Sequence, residues 1–330
     1  MKRLNNIYDE FVSLNNLKIA FYKSQKRKTH RDYVIKYRNN LIDNLLKLQK
    51  SLINKNYDLG HYRDFYVYEP KKRLISTVPF RERIIHHAIM NIVEDRFESY
   101  MIDHSYACRI GKGIYKAIKY AQKCTFNYKY YLKLDVHHYF ESINHENLYK
   151  LCEHLIADKR FLHLLKSLIE SYGDKKGIPI GNLTSQYFGN LYLSQLDHYI
   201  MEILGIHGYC RYMDDFVCFF DDKKELKEKF KLIKNYITDK LLLELNEEQI
   251  NNCNFGIPFL GYRVFCDNIR LSLKSKRRFA KKIKKSYYLL ESGIWNQEDF
   301  QNHITPLVEF VKKSNGNDFI NKYIKYDNDL

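Results

Sequence analysis

Leu41, Leu45, Leu48 and Leu52 recur at three- and four-residue intervals among Lys, Asn and Gln. That is an apolar stripe at the helical period, and it predicts amphipathic helices with a basic outer face over residues 1–57. Over 62–78, YRDFYVYEPKKRLISTV, the period falls toward two among Tyr and Val, which predicts a β-hairpin turning at Glu69-Pro70-Lys71-Lys72. A helix is expected from Pro79 through RERIIHHAIMNIVEDRFESYM, then a glycine-marked loop over 109–113 and a further helix through Tyr120. The aromatic-rich run KYYLKLDVHHYF, 129–140, reads as one strand, 145–172 as helix, and GIPIGNLTSQ, 177–186, as a loop feeding another helix. GYCRYMDDFVCFF, 208–220, reads as two short strands meeting at Asp214-Asp215. A helix over 224–240, short strands near 242–245, 254–257 and 259–265, and a final basic helical segment complete the chain. No internal repeat and no long linker interrupts it, so one continuous core is expected.

Composition sharpens this picture. Fifty-five Lys and Arg against 39 Asp and Glu leave +16 over 330 residues, so the first expected partner is polyanionic. Five Pro and 13 Gly are few for this length, which disfavours turn-rich sandwiches and leaves helix dominant. The seven cysteines are odd in number, form no C-x-x-C, and sit mostly in apolar segments, as reduced thiols do. Neither an apolar leader nor a run of 18 apolar residues is present, so a cytoplasmic protein with no membrane partner is expected.

Candidate chemistry lies at the strand ends. A lone ionised carboxylate costs several kcal/mol to bury without a compensating partner. Yet Asp135 follows Tyr-Tyr-Leu-Lys-Leu, and Asp214-Asp215 lie between Tyr212-Met213 and Phe216-Val217. Side chains alternate along a strand, so Asp214 and Asp215 face a common partner only if a turn bends between them. If the strands pair, three carboxylates converge on one sheet edge. Such an oxygen-only set selects Mg²⁺, and two Mg²⁺ ions in a basic protein point to nucleotidyl transfer. For any single Asp the competing reading is a turn cap or a partner to one of the many Lys residues; the apolar flanking strands argue against it for the set.

LDVHHYFESINHENL and RYMDDFVCF resemble the two metal-binding palm motifs of reverse transcriptases. YEPKKRLISTVPFRERII resembles the fingers hairpin, SYACRIGKGIYKAI the segment before the palm, and FLGYRVF the primer grip, so the resemblance covers most of the chain. It implies an α+β right-hand polymerase: fingers over 1–100 with 144–180 returning to them, an antiparallel-sheet palm over 101–270, and a short basic helical thumb over 271–330. In the loop, Pro179-Ile180-Gly181-Asn182-Leu183-Thr184-Ser185-Gln186 stands where the wider family has Pro-Gln-Gly…Ser-Pro. That form resembles the reverse transcriptases of diversity-generating retroelements. These copy a template-repeat RNA into cDNA with errors at adenine and act with a basic accessory variability protein, a homopentamer. Gln249 departs from the Lys common in that segment.

The resemblance implies Asp135, Asp214 and Asp215 as catalytic residues, with Asp135, Asp214 and the Val136 carbonyl as ligands of two Mg²⁺ ions. It implies Arg73 and Lys72, with Lys71 beside them, as a clamp on the dNTP phosphates, and Ile180, Gly181 and Gln186 as further dNTP contacts. Phe140 is implied as the gate against a ribose 2′-hydroxyl, a core aromatic being the alternative. Phe259, Leu260 and Gly261 are implied as the primer grip. Lys274, Lys276, Arg277, Arg278, Lys281 and Lys282, with Lys284 and Lys285 beyond, would track the RNA/cDNA backbone; such a run is otherwise a solvated face. The pairs His86-His87 and His137-His138 have no metal-ligand spacing with any Cys and read as ordinary core or phosphate-edge histidines rather than zinc ligands. The expected function is an RNA-directed DNA polymerase of a diversity-generating retroelement, bacterial or phage-encoded. A retron-like or antiphage-defence reverse transcriptase is the alternative within the class; an RNA-dependent RNA polymerase, which Phe140 disfavours, and a non-catalytic RNA-binding protein lie outside it.

Overall fold

The protein is described by a computed structural model over residues 2–68 and 71–324. Four N-terminal helices, α1 (Tyr8–Phe11), α2 (Leu14–Ser24), α3 (Asp32–Asn39) and α4 (Leu41–Ile53), bury the expected leucine stripe. Ser13 begins α2 by accepting a hydrogen bond from the Asn16 N–H. The hairpin forms from β1 (Arg63–Val67) and β2 (Arg73–Thr77), paired Val67 to Arg73. Of its expected turn, Glu69 and Pro70 lie outside the described residues. α5 (Phe80–Tyr100) follows, then α6 (Ile114–Asn127).

The expected strand over 129–140 is shorter in the structure. β3 (Tyr130–Asp135) stops at the carboxylate, and His138, at φ 43°, turns the chain into the short helix α7 (Tyr139–Ser142). The helical segment after it is broken by Asp158 into α8 (His145–Leu155) and α9 (Lys159–Glu170). Asp158 caps α9 through the Arg160 and Phe161 N–H groups, and its other oxygen accepts from Ile7 and Tyr8, tying this segment back to the N-terminal helices. α10 (Leu183–His198) begins inside the expected loop, so Gln186 sits in its first turn. β4 (Tyr209–Tyr212) and β5 (Asp215–Phe220) then form the second hairpin, and α11 (Lys223–Asn235) packs beside it.

No strand forms over 242–245, where Leu245 makes a single bridge to Val136, nor over 254–257 as a unit. Pairing falls instead to β6 (Gln249–Asn252), followed by a short 3₁₀ turn. β7 (Ile257–Phe259), β8 (Tyr262–Val264) and β9 (Ile269–Leu271) form a small antiparallel sheet. α12 (Leu273–Glu291), α13 (Gln297–Lys312) and α14 (Asn317–Asn321) end the described chain.

The central sheet is antiparallel in the order β4-β5-β3-β6. Alternation along β5 sends Phe216, Cys218 and Phe220 to one face and Val217 and Phe219 to the other. The first face joins the N-terminal helices, α5 and α8–α11; the second joins α6, the small sheet and α12–α14. The core is therefore two clusters divided by the sheet, not the continuous one expected, because a sheet apolar on both faces must be covered twice. All seven cysteines are free; Cys108 and Cys266 are exposed and the other five buried. Among the described residues no helix is long and apolar enough to cross a membrane.

Candidate active site

The pairing of β3 with β5 places Asp135 directly opposite Asp215. Met213, at φ 59°, and Asp214 make the turn between β4 and β5, so Asp214 lies in the turn and Asp215 on the strand at the same sheet edge. The Val136 N–H donates to the Asp214 carbonyl at 3.3 Å, which locks this turn to the end of β3. Beyond it the His137 N–H donates to the Glu244 carbonyl and the Asn246 N–H to the Asp135 carbonyl. These two bonds flank the Val136–Leu245 bridge, so that bridge does not consume the Val136 carbonyl.

Three carboxylates this close repel one another. Burial, then the Asp135 charge, pushes Asp214 above its ordinary value. Burial also raises Asp215, to about 6, even though Lys133 pulls it down. Lys133 lies two residues before Asp135 on the same face of β3, a diagonal neighbour of Asp215, and its Nζ is 2.8 Å from Asp215 Oδ1. Asn246 Nδ2 donates to Asp135 Oδ2 at 2.8 Å. Asp215 is thus engaged by a lysine, Asp135 is oriented by an amide, and Asp214 stands at the turn. Among the described residues no three His, Cys, Asp or Glu side chains form a ready metal cage. What fits a divalent cation is the smaller oxygen set of Asp135, Asp214 and the Val136 carbonyl, whose mutual repulsion a cation would relieve.

The β1–β2 hairpin and the loop before α10 are joined through their backbones. Ser76 N–H on β2 donates to the Ile180 carbonyl at 2.8 Å. Gly181, at φ 121°, passes so close that a Cβ there would meet Ile75 Cγ2 at 2.8 Å, so the close approach requires glycine. Ile180 is half-buried, Gln186 exposed. Arg73 is exposed, and its charge acts on the Asp214 carboxyl, opposing the rise that burial causes there. Lys72 instead sits over the Tyr66 ring, 4.2 Å from its centroid, and Lys71 is exposed. Phe140 is half-buried; a Cβ on Gly189 would lie 3.4 Å from its ring.

At the expected primer grip, Phe259 is buried in the second cluster, and Leu260 and Gly261, both at positive φ and half-buried, form the turn of the β7–β8 hairpin. The Gly261 carbonyl accepts from Ser275 Oγ at 2.7 Å and from the Ser272 N–H at 3.1 Å, fastening the turn to α12. α12 buries Ser275, Phe279, Ile283 and Ser286. Lys274, Arg277, Lys281 and Lys284 follow at helical spacing as one exposed stripe, with Lys285 exposed beside it; Lys276, Arg278 and Lys282 are half-buried flanks. Lys276 lies over the Phe319 ring. His86 Nδ1 pairs with Thr184 Oγ1 at 2.7 Å in the core, so that histidine joins α5 to α10.

Residues 61–264 match the model of the reverse transcriptase (RNA-dependent DNA polymerase) family. The chain belongs to the reverse transcriptase family. It is 24% identical over 259 residues to Protein YkfC of Escherichia coli K12, an alignment covering 62% of this chain and 68% of that protein. It is 20% identical over 266 residues to the group II intron-encoded protein LtrA of Lactococcus lactis, covering 75% of this chain and 44% of LtrA. Its fold is similar to that of apo telomerase from Candida tropicalis, with a TM-score of 0.52 at 11% identity, over 84% of this chain and 62% of telomerase. The chain therefore spans about two thirds or less of these larger or more distant proteins. The α+β fold is shared with telomerase, and the family whose model matches is that of the RNA-dependent DNA polymerases.

Two residues that contact the carboxylates were missed from the sequence: Lys133 and Asn246. Lys133 carried a usable signal, since it shares strand parity with Asp135. Asn246 carried none, because its approach depends on where an irregular segment lands. Gln249 opens β6 opposite Lys133, an edge-strand position.

Proposed function

We propose that this chain is the polymerase of a diversity-generating retroelement, copying a template-repeat RNA into cDNA with errors concentrated at adenine. The observation that carries this reading is the loop Ile180-Gly181-Asn182-Leu183-Thr184-Ser185-Gln186. The backbone of Ile180 is pinned to β2 while its side chain stays half-buried beside the fingers hairpin. An Ile packs but cannot donate a hydrogen bond, so a nucleotide sugar there is held by shape alone, and one bond worth about 1 kcal/mol is missing from the discrimination of a well-placed nucleotide.

In the same reading Asp135, Asp214 and the Val136 carbonyl hold two Mg²⁺ ions, and Asp215, paired with Lys133, completes the charge balance. Bound there, the ions would lower the cost of forming the 3′-oxyanion and of releasing pyrophosphate. Arg73 forks onto phosphate oxygens from the hairpin, Lys72 adds charge, and Gly181 and Gln186 border the nucleotide. Phe140 excludes the ribose 2′-hydroxyl, Leu260 and Gly261 support the primer end, and the α12 stripe tracks the duplex backbone. The division into fingers, palm and thumb keeps the boundaries read from the sequence. A basic accessory homopentamer would be bridged to this +16 chain through the RNA, since two cationic surfaces repel.

The test is primer extension on a defined RNA template with sequencing of the cDNA, for the native chain and Ile180→Gln side by side. The native chain is expected to misincorporate opposite adenine more than opposite other bases, and Ile180→Gln to narrow that excess while cDNA is still made. Uniformly faithful copying by the native chain refutes the retroelement reading. It would favour a retron-like or defence enzyme, or the intron type to which the LtrA likeness points.

A further inference from the structure

Arg211 is fully buried in a protein whose other positive charge is spent mainly at the surface. Its guanidinium has five N–H donors, and the structure gives each an acceptor. Nε and Nη2 fork onto Asp197 Oδ1 and Oδ2 at 2.7 and 2.6 Å. Nη2 also donates to the Asn190 carbonyl, and Nη1 to Asn190 Oδ1, both at 3.2 Å. The fifth bond runs from Nη1 to the Met213 carbonyl at 3.0 Å. Asp197 is itself fully buried and accepts a further bond from Tyr209 Oη at 2.7 Å.

A buried ion pair is weak evidence of a stability role, because apolar residues of similar volume often serve as well. The bond to Met213 is different in kind. The Met213 carbonyl belongs to the peptide plane that leads into Asp214, and a peptide plane is rigid. The plane on the other side of Asp214 is held by the Val136 N–H on the Asp214 carbonyl. With both planes fixed, the two soft backbone dihedrals of Asp214 are fixed, and so is the direction of the Cα–Cβ bond from which its carboxylate projects. Met213 sits in the left-handed region, which a side chain adopts only when its surroundings hold it there.

We infer that Arg211, clamped by Asp197 on α10, is a positioning residue that aims the Asp214 carboxylate. This rests on the reading of Asp214 as a metal ligand. Arg211 touches neither substrate nor metal; it acts through one backbone carbonyl, and α10 is the rigid element from which it acts.

The experiment compares Arg211→Lys, Tyr209→Phe and Asp214→Asn with the native chain. Lysine keeps the charge near Asp197 but cannot reach Asp197, Asn190 and the Met213 carbonyl together. Tyr209→Phe removes a bond to the same buried carboxylate without touching the turn. Four quantities are read: melting temperature, kcat, KM for dNTP, and binding of Mn²⁺ alone to the metal-free chain, followed by electron paramagnetic resonance of the free ion. Arg211→Lys is expected to lower kcat by about 10²-fold, as a misplaced catalytic group does, with KM little changed and Mn²⁺ binding weakened. Tyr209→Phe is expected to lower the melting temperature while keeping kcat and Mn²⁺ binding. Should Arg211→Lys not fold, Asn190→Ala, which removes a side-chain partner of the same Nη1, is read in the same way. The inference is overturned if Arg211→Lys keeps its kcat, or if kcat in both variants falls only in proportion to melting temperature. Asp214→Asn separates the two claims: a variant still active refutes the ligand reading itself, and an inactive one leaves Arg211 to be judged by its own comparison.

Discussion

Replacing Lys133 by Met should destabilise the metal-free chain at pH 8 and do so much less at pH 5. Asp215 titrates at about 6 in the folded protein against an ordinary value of 3.8, with burial as the largest cause and Lys133 as the opposing one. The folded state therefore binds this proton more tightly than the unfolded chain. The stability this supplies is complete below 3.8 and is lost as pH rises through about 6. Across that interval the loss is ~3 kcal/mol, at ~1.4 kcal/mol per pH unit. Without Lys133 the carboxyl rises further, and each additional unit adds ~1.4 kcal/mol to the cost at pH 8. Removing one member of a buried pair costs roughly 3–5 kcal/mol, which sets the scale of the difference expected at pH 8. At pH 5 the carboxyl is mostly protonated with or without Lys133, so the charge contribution largely disappears. The assay is urea unfolding of both chains in EDTA at the two pH values. Equal destabilisation at pH 5 and pH 8 would refute the reasoning and assign Lys133 a packing role through its methylene stem. Saturating Mg²⁺ should narrow the pH 8 difference, because a cation bound only to the folded state supplies the missing charge.

Asp135→Asn and Asp214→Asn should each abolish primer extension while leaving urea unfolding cooperative and template binding intact; near-native extension by either removes the two-metal assignment. Template-primer affinity should fall steeply with salt, and a Lys274→Ala, Arg277→Ala, Lys281→Ala variant should lose about 2–3 units of log–log slope, three phosphate contacts' worth, in fluorescence anisotropy titrations. An unchanged slope would make the stripe on α12 a solvated face.

The sheet and its carboxylates were legible because they depend on local pattern. Apolar alternation broken by Asp135, and again by Asp214-Asp215, marks strand ends whatever the rest of the chain does, and the pairing of Asp135 with Asp215 follows once the strands are antiparallel. Where local pattern misled, tertiary demands overruled it. KYYLKLDVHHYF continues in aromatics past Asp135, but His138 adopts a left-handed conformation and Phe140 lands on a helical turn. The strand expected over 242–245 gives way to β6, where the chain pairs with the free edge of β3, while the one expected over 259–265 forms in part, as the end of β7 and as β8.

What supports the site was hidden for a different reason. Asp197 on α10 and Arg211 on β4 are separated by a turn and a loop, each sits in an apolar stretch, and neither shows a period that assigns it a face. Their meeting depends on how α10 is placed against β4, a tertiary arrangement no local pattern encodes. The same holds for Asn246 on Asp135 and Ser76 on Ile180, contacts between segments far apart in the chain. A sequence displays the groups that do chemistry because their cost forces an irregularity into an otherwise apolar strand. It conceals the groups that hold them, because a satisfied buried hydrogen bond leaves no irregularity to read.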